Sequence, residues 1–207
     1  MKPVSCLSVV LLLFLSVGTV RSEKLTVDPE RSVMTIRAFK SGLFSAFAHN
    51  HEIEARGLEG EVVTTENQQV SLRIDTRKIK VLDPQLSADD RAEVQRTMEG
   101  PKVLDITRFP EIRFQSTSVT QKNPTLWQVS GNLTLHGQTR PVTVQVTGSG
   151  SRYSGQATVR QRDFGIQPVS LFGGTVKVKD ELKIEFDIQT GSSPSMAQTG
   201  DGGEANE

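Results

Sequence analysis

Cysteine is almost absent from this chain, because Cys6 is the only one among 207 residues. A disulfide framework is therefore excluded, and the folded protein must rely on its core for stability. Cys6 also precedes the apolar run 9–17, whereas a lipid-anchoring cysteine would follow such a run. We therefore expect no lipid to be attached to the chain.

The sequence also lacks an apolar run long enough to cross a bilayer as a helix. Residues 9–17 are too few, and they lie between Lys2 and a segment of small and polar residues. This order is typical of a secretory signal peptide, which we place at residues 1–22 with cleavage after Ser22. We expect a periplasmic or secreted protein without a membrane span.

No block of like charge stands out. The chain has 24 Lys and Arg against 24 Asp and Glu, and removal of residues 1–22 leaves 22 basic and 24 acidic residues. A small negative charge without a basic patch argues against a nucleic-acid partner. We expect the mature protein to be a monomer or a homodimer.

Most of the chain instead shows apolar and polar residues in strict alternation. Val70, Leu72 and Ile74, for example, alternate with Ser71 and Arg73. Strands with one apolar face predict an all-β, antiparallel sheet that curls around its own core. The expected strands are 33–39, 47–55, 58–64, 70–75, 112–119, 126–135, 142–147, 153–161 and 176–188, the last one broken near Asp180.

One helix interrupts the strands. Ser87 followed by Asp90 has the spacing of a capping box, and Gly100 offers a stop, so we expect a helix from about Ala88 to Glu99. Its few apolar positions predict that it lies over the sheet rather than inside it. We expect one domain over 23–190 and a disordered tail over 191–207, which is rich in Gly, Ser and acidic residues.

The most informative local pattern is a pair of histidines. Alternation places His49 and His51 on the same strand face as Phe47 and Ile53, which is the face expected to be buried. Such a pair can be a polar anchor for a ligand headgroup, half of a metal site, or two structural histidines.

The metal interpretation requires at least one further ligand. The mature chain would have no cysteine, and the remaining histidine, His136, shares its parity with Asn132 and Thr134 on the expected wet face of a strand. We therefore predict no metal site, while His49 and His51 stay the candidate ligands of the alternative. The sequence also shows no phosphate-binding loop and no Ser-His-Asp order.

Four motifs together resemble those of the YceI-like, polyisoprenoid-binding family. They occur in the family's order and spacing, and the likeness extends over about residues 24–189. The motifs are 109–117 (FPEIRFQST), 131–137 (GNLTLHG), 162–166 (RDFGI) and 180–186 (DELKIEF).

This resemblance implies a lipocalin-like antiparallel barrel of eight strands, here with one short helix segment. It also implies a bound isoprenoid lipid, such as a polyprenyl phosphate or a quinone, and no other cofactor. The pair His49 and His51 departs from the isolated histidine of common family members, which indicates a subgroup with its own ligand.

We therefore expect a protein that binds an apolar small molecule rather than an enzyme. The alternatives are a metal-assisted enzyme that uses the histidine pair and a ligand-free interaction barrel with a filled core. The expected ligand-binding residues are Met34, Ile36, Phe47, His49, His51, Leu72, Ile74, Phe114, Trp127, Leu133 and Phe186.

Overall fold

The computed structural model of the protein describes residues 24–41, 50–64, 67–171 and 176–192. No helix within these ranges has the length and the apolarity that a membrane crossing requires. The elements are β1 (Lys24–Val27), β2 (Val33–Ser41), β3 (His51–Arg56), β4 (Glu59–Val63), β5 (Gln69–Asp75), β6 (Ile79–Val81), α1 (Ala88–Glu99), β7 (Glu111–Asn123), β8 (Leu126–Leu135), β9 (Gln138–Ser149), β10 (Arg152–Arg160), β11 (Ser170–Leu171) and β12 (Val176–Ser192).

The strands close into a barrel. Antiparallel pairing runs from β1 through β4, β5, β7, β8, β9, β10 and β12, and β12 pairs back with β1. Strands β2, β3 and β6 extend β1, β4 and β5 along the chain and pair with one another in the same order. Eight continuous, partly bent strands therefore form the wall, and the prediction of an all-β, eight-stranded barrel is confirmed.

Strand β12 closes the ring by pairing with two elements along one edge. Its register against β2 shifts between Val178 and Leu182, at the position where the sequence predicted a break. Beyond β2, the same edge meets β1, where Leu25 lies opposite Ser192. Such a bulge bends a strand and lets it follow a closed wall.

The helix has the predicted bounds. Ser87 Oγ accepts a hydrogen bond from the Asp90 N–H, so the predicted cap is confirmed, and the helix ends at Gly100. Met98 is buried and belongs to the same apolar core as Ile79 and Val81 of β6. The helix thus covers the barrel where β6, which pairs with β3 and not with β7, leaves the wall incomplete.

The outer face of the barrel carries ion pairs between neighbouring strands. Arg37 of β2, for example, lies between Glu52 of β3 and Glu185 of β12, with its guanidinium 2.6 Å from the Glu185 carboxylate. Met34 and Ile36 alternate with it and face the core. This arrangement is the expected division of each strand into one wet and one dry face.

His136 does not lie on the wet face of a strand, which corrects the sequence prediction. It forms a two-residue turn with Gly137 between β8 and β9, and both residues have positive φ, 49° and 70°. Turns of this kind match the twist of a hairpin. The His136 Nδ1 lies 3.2 Å from the Phe164 carbonyl oxygen, and its ring stacks edge-on against Phe109.

Other differences from the sequence prediction concern strand ends. Strand β9 begins at Gln138 rather than at residue 142, because the tight turn brings it directly against β8. The last strand extends through Gly191 and Ser192, which were predicted to belong to the tail but pair with β1. The short strands β1, β6 and β11 were not predicted.

Several predictions lie outside the described residues. They are the signal peptide 1–22, the positions of Phe47 and His49, and the remainder of the tail, 193–207. These stay predictions.

Candidate functional site

A large cavity fills the middle of the barrel. Its volume is about 1200 Å³, and its wall is formed by the inward residues of the strands together with the inner side of α1. The lining is mainly aliphatic and aromatic, and it includes the buried residues Ile74, Val129 and Ile188. The described part of the barrel is therefore hollow, whereas a ligand-free interaction role stays an untested alternative.

Glycines on the inner wall help to keep this space open. A Cβ atom added at Gly131 would lie 2.5 Å from the ring of Phe114, and one added at Gly155 would lie 2.6 Å from the ring of Phe186. A Cβ atom at either position would have to displace the ring, so glycine is what lets each ring rest against the backbone of the neighbouring strand. The aromatic side chains therefore form part of the wall instead of plugging the lumen.

The sequence prediction of the lining can be compared directly. Every predicted ligand-binding residue within the described ranges contributes to the cavity wall, whereas Phe47 and His49 lie outside those ranges. Whether the wall residues contact a ligand stays a prediction. They are Met34, Ile36, His51, Leu72, Ile74, Phe114, Trp127, Leu133 and Phe186.

The two ends of the cavity differ in chemistry. At the end where β2 finishes and β3 begins, hereafter the His51 end, the polar and charged lining residues are Lys40, His51, Asp90, Glu93, Thr97, Gln161 and Lys177. At the opposite end, beside the β7–β8 hairpin and hereafter the Trp127 end, the polar lining residues are Thr64, Gln68, Gln121 and Tyr153. Charge therefore enters the described lining at one end only.

His51 is held by a carboxylate that the sequence analysis missed. Its Nδ1 lies 2.6 Å from Asp83 Oδ2, and the other carboxylate oxygen, Oδ1, accepts a 2.7 Å hydrogen bond from the Glu52 N–H. Asp83 is fully buried, whereas the His51 side chain is 23% exposed. Asp83 thus anchors the pair within the protein, whereas the His51 ring is accessible from the cavity.

A signal for Asp83 was present in the sequence. Ile79, Val81 and Asp83 share one parity, and all three are buried, so the carboxylate continues the inward face of β6. A charged residue at an inward position is unusual unless it has a partner. His51 is 32 positions away, and only the pairing of β3 with β6 brings the two together.

The described residues do not form a metal site. No three His, Cys, Asp or Glu side chains gather closely enough within them, and His49 is not among them. His136 is engaged with Phe164 and Phe109 rather than with His51. A site that uses both His49 and His51 therefore stays an untested alternative.

Comparison with known proteins identifies the family. The model of the YceI-like domain matches residues 25–190. Among curated relatives, a UPF0312 protein of Yersinia pestis is 33% identical over 58% of this chain and 57% of its own length. A UPF0312 protein of Pseudomonas savastanoi is 31% identical over 38% of this chain and 46% of its own length. The matches thus span about half the length of these relatives.

Solved structures show the same fold. BcnA of Burkholderia cenocepacia superimposes with a TM-score of 0.61 at 17% identity, over 80% of this chain and 99% of that chain. A polyisoprenoid-binding domain from Saccharophagus degradans superimposes with a TM-score of 0.57 at 13% identity, over 84% and 100%. Because the family model covers nearly the whole described barrel, the chain belongs to the YceI-like domain family.

Proposed function

We propose that this protein is an exported carrier that holds an apolar, isoprenoid-type lipid in its barrel and acts by binding rather than by catalysis. The observation that carries the proposal is the hollow, mainly apolar cavity of about 1200 Å³. Pockets for drug-sized ligands span roughly 300–1,000 Å³, so this cavity suits a larger molecule. Polyprenyl phosphates and isoprenoid quinones are two ligand types of this class.

The energetics favour a long apolar ligand. Each buried methylene contributes about 0.8 kcal/mol, so a tail of ten such groups contributes about 8 kcal/mol before association is counted. The cavity extends from the His51 end to the Trp127 end, so one elongated tail can contact wall residues along the whole barrel. The tail would supply most of the affinity, and the headgroup would select the lipid.

The comparisons support the same class of ligand. The Saccharophagus degradans domain is described as polyisoprenoid-binding and shares the fold of this chain. Export rests on the predicted signal peptide and on the absence of cysteine after residue 22. The proposed ligand class and the predicted signal peptide together lead to the proposal of a periplasmic or secreted carrier.

The proposal can be tested by native mass spectrometry of the full chain purified from the organism that makes it. We expect a mass increment that organic extraction removes and that corresponds to an apolar lipid. A protein that carries neither a lipid nor a metal, and that takes up no isoprenoid from detergent solution, would contradict the proposal. An increment that a chelator removes would instead support the metal alternative.

The proposed export of the protein can be tested separately. N-terminal sequencing of protein recovered outside the cytoplasm should show a chain that begins near residue 23. Recovery only inside the cytoplasm, with Met1 intact, would overturn the proposal of export.

A further inference from the structure

The pair formed by Asp83 and His51 gives the cavity a fixed direction. We propose that Asp83 is a positioning residue that holds His51 toward an acidic oxygen of the ligand headgroup, so that the headgroup lies at the His51 end and the tail points to the Trp127 end. This inference rests on the proposed lipid-binding function.

The contact with Asp83 limits which nitrogen of the His51 imidazole is available to a ligand. An ionised carboxylate can only accept hydrogen bonds, so with Asp83 ionised the 2.6 Å contact with its Oδ2 requires the proton on His51 Nδ1. The second acceptor of Asp83 is already used by the Glu52 N–H, which fixes the carboxylate itself. Nε2 is then the remaining polar atom of a ring that lines the cavity.

An acidic or anionic oxygen is the ligand atom that suits His51 Nε2. If the ring is neutral, Nε2 accepts a proton from an acidic group, and if the ring is charged, Nε2 donates to the corresponding anion. Both cases give the same final arrangement, an imidazolium N–H donating to an anionic oxygen. The imidazolium also compensates the fully buried Asp83 carboxylate, which burial otherwise makes unfavourable. A phosphate and a carboxylate share this chemistry.

Other charged residues also line the cavity at the His51 end. Lys40 and Lys177 line the His51 end and add positive charge, while Asp90 and Glu93 on α1 line the same end and add negative charge. Asp90, Glu93 and Lys177 are all exposed, so water screens their charges, whereas the His51–Asp83 pair is partly buried and its field is less screened. The Trp127 end has no charged residue in its described lining and suits a tail.

A matched pair of probes tests the headgroup. Farnesyl phosphate and farnesol have the same tail, and their dissociation constants can be measured by calorimetry on the full chain. We expect the phosphate to bind about tenfold or more tightly than the alcohol, because a hydrogen bond between two charged groups is being compared with a neutral one. A carboxylate probe, farnesoic acid, should share the advantage if the anionic oxygen alone is recognised.

Variants test whether the His51–Asp83 pair causes the tighter binding of farnesyl phosphate. His51→Gln and Asp83→Asn should both lower the ratio between phosphate and alcohol while leaving farnesol affinity unchanged. The double variant should be no worse than His51→Gln, because Asp83 acts through His51. Asp187→Asn, which changes a carboxylate on the outer wall that accepts from Arg152, is the control and should keep the ratio.

The direction of the ligand is tested with the chain's single tryptophan, Trp127. Bromine quenches tryptophan fluorescence at contact range, so stearate brominated near its methyl end should quench Trp127 more than stearate brominated near its carboxylate. This measurement uses the unmodified protein, and it stands even if Asp83→Asn does not fold. Stronger quenching by the carboxylate-proximal bromines would overturn the inferred direction.

The outcomes separate the inference from the proposed function. Binding of farnesol and farnesyl phosphate with equal affinity, or a ratio that folded His51→Gln retains, would overturn the role of the pair while the barrel stays a lipid carrier. Failure of every probe to bind would contradict the proposed function itself.

Discussion

The two ends of the barrel are built differently. At the Trp127 end, consecutive strands are joined by short connections, including two-residue turns at Pro124-Thr125 and Gly150-Ser151. The His51 end has one such turn, at His136-Gly137, but there the chain also makes long excursions, among them residues 82–110 with α1 and residues 161–169 before β11. Short hairpins fix strand register locally, whereas long connections can place side chains over a cavity mouth. Two of the charged lining residues, Asp90 and Glu93, lie on the excursion that carries α1.

The largest effect on stability should come from the His51 end. Asp83→Leu leaves the Glu52 N–H and His51 Nδ1 without their acceptor, so we expect the free energy of unfolding to fall by about 2–4 kcal/mol. Glu93→Leu, an exposed position on α1 outside its cap, should change it by no more than about 0.5 kcal/mol. Urea unfolding measures both. Equal effects of the two substitutions would mean that the buried pair does not stabilise this end.

The middle of the barrel separates the two ends, and Leu72→Trp tests whether a lipid occupies the cavity there. Leu72 lines the cavity, so a larger side chain should fill it and abolish binding of a long lipid with a change in unfolding free energy below about 1 kcal/mol. In a close-packed barrel the same change would destabilise the fold by roughly 1–3 kcal/mol. Lipid extraction and thermal unfolding give the two readouts. Retention of lipid at normal stability would show that Leu72 does not contact the ligand.

Ion-paired carboxylates near each end of the barrel should make the free energy of unfolding depend on pH in the acid range, with smaller effects than those above. Arg77 donates to Asp75 and lowers the pKa of that carboxyl from 3.8 to about 2, and Arg152 lowers the pKa of Asp187 in the same way near the Trp127 end. A depressed folded-state pKa stabilises the fold above pH 3.8, and this contribution is lost as the pH falls toward 2.

We therefore expect Asp75→Asn to lower the unfolding free energy at pH 7 by roughly 0.5 kcal/mol, since asparagine keeps the cap of the following turn and loses only the ion pair. The difference from the unmodified protein should disappear near pH 2. Urea titrations at both pH values test this, with Asp187→Asn as the matched change in the other half. A deficit that persists at pH 2 would show that the ion pair is not its cause.

The smallest effect should follow removal of residues 193–207, whose only apolar side chains are Met196, Ala197 and Ala205. We expect the melting temperature to stay within about 2 °C, because little apolar area can be lost. Removal from Gly191 onward should lower it further, since it deletes positions of β12 that pair with β1. Equal melting temperatures of the two truncated chains would mean that this pairing does not stabilise the barrel.

The sequence was most informative where local physics decides the structure. Strand β8 was predicted with its observed ends because Trp127, Val129 and Leu133 keep a strict alternation between two turns. Helix α1 was predicted with its observed ends because Ser87 and Gly100 mark them chemically. Capping and alternation depend on neighbouring residues, so one sequence is enough to detect them.

The site was less predictable because it depends on contacts between distant segments. Asp83 becomes the partner of His51 only when β6 pairs with β3. His136 was placed on a strand by parity, which fails at a turn where φ becomes positive. The wall residues were predictable from alternation, but hollow and filled barrels share that pattern, and close approaches such as that of Gly131 to Phe114 appear only in three dimensions.

The pairing of Leu25 with Ser192 joins the first and last described strands, and this has a consequence for the order of folding. The ring cannot close until nearly the entire chain is available, and contacts between residues so far apart in sequence form slowly because a long loop must be ordered first. The hairpins at the Trp127 end can form earlier from local segments. A chain that becomes available gradually from its N-terminal side would therefore stay an open sheet, with its apolar face accessible, until its last strand arrives.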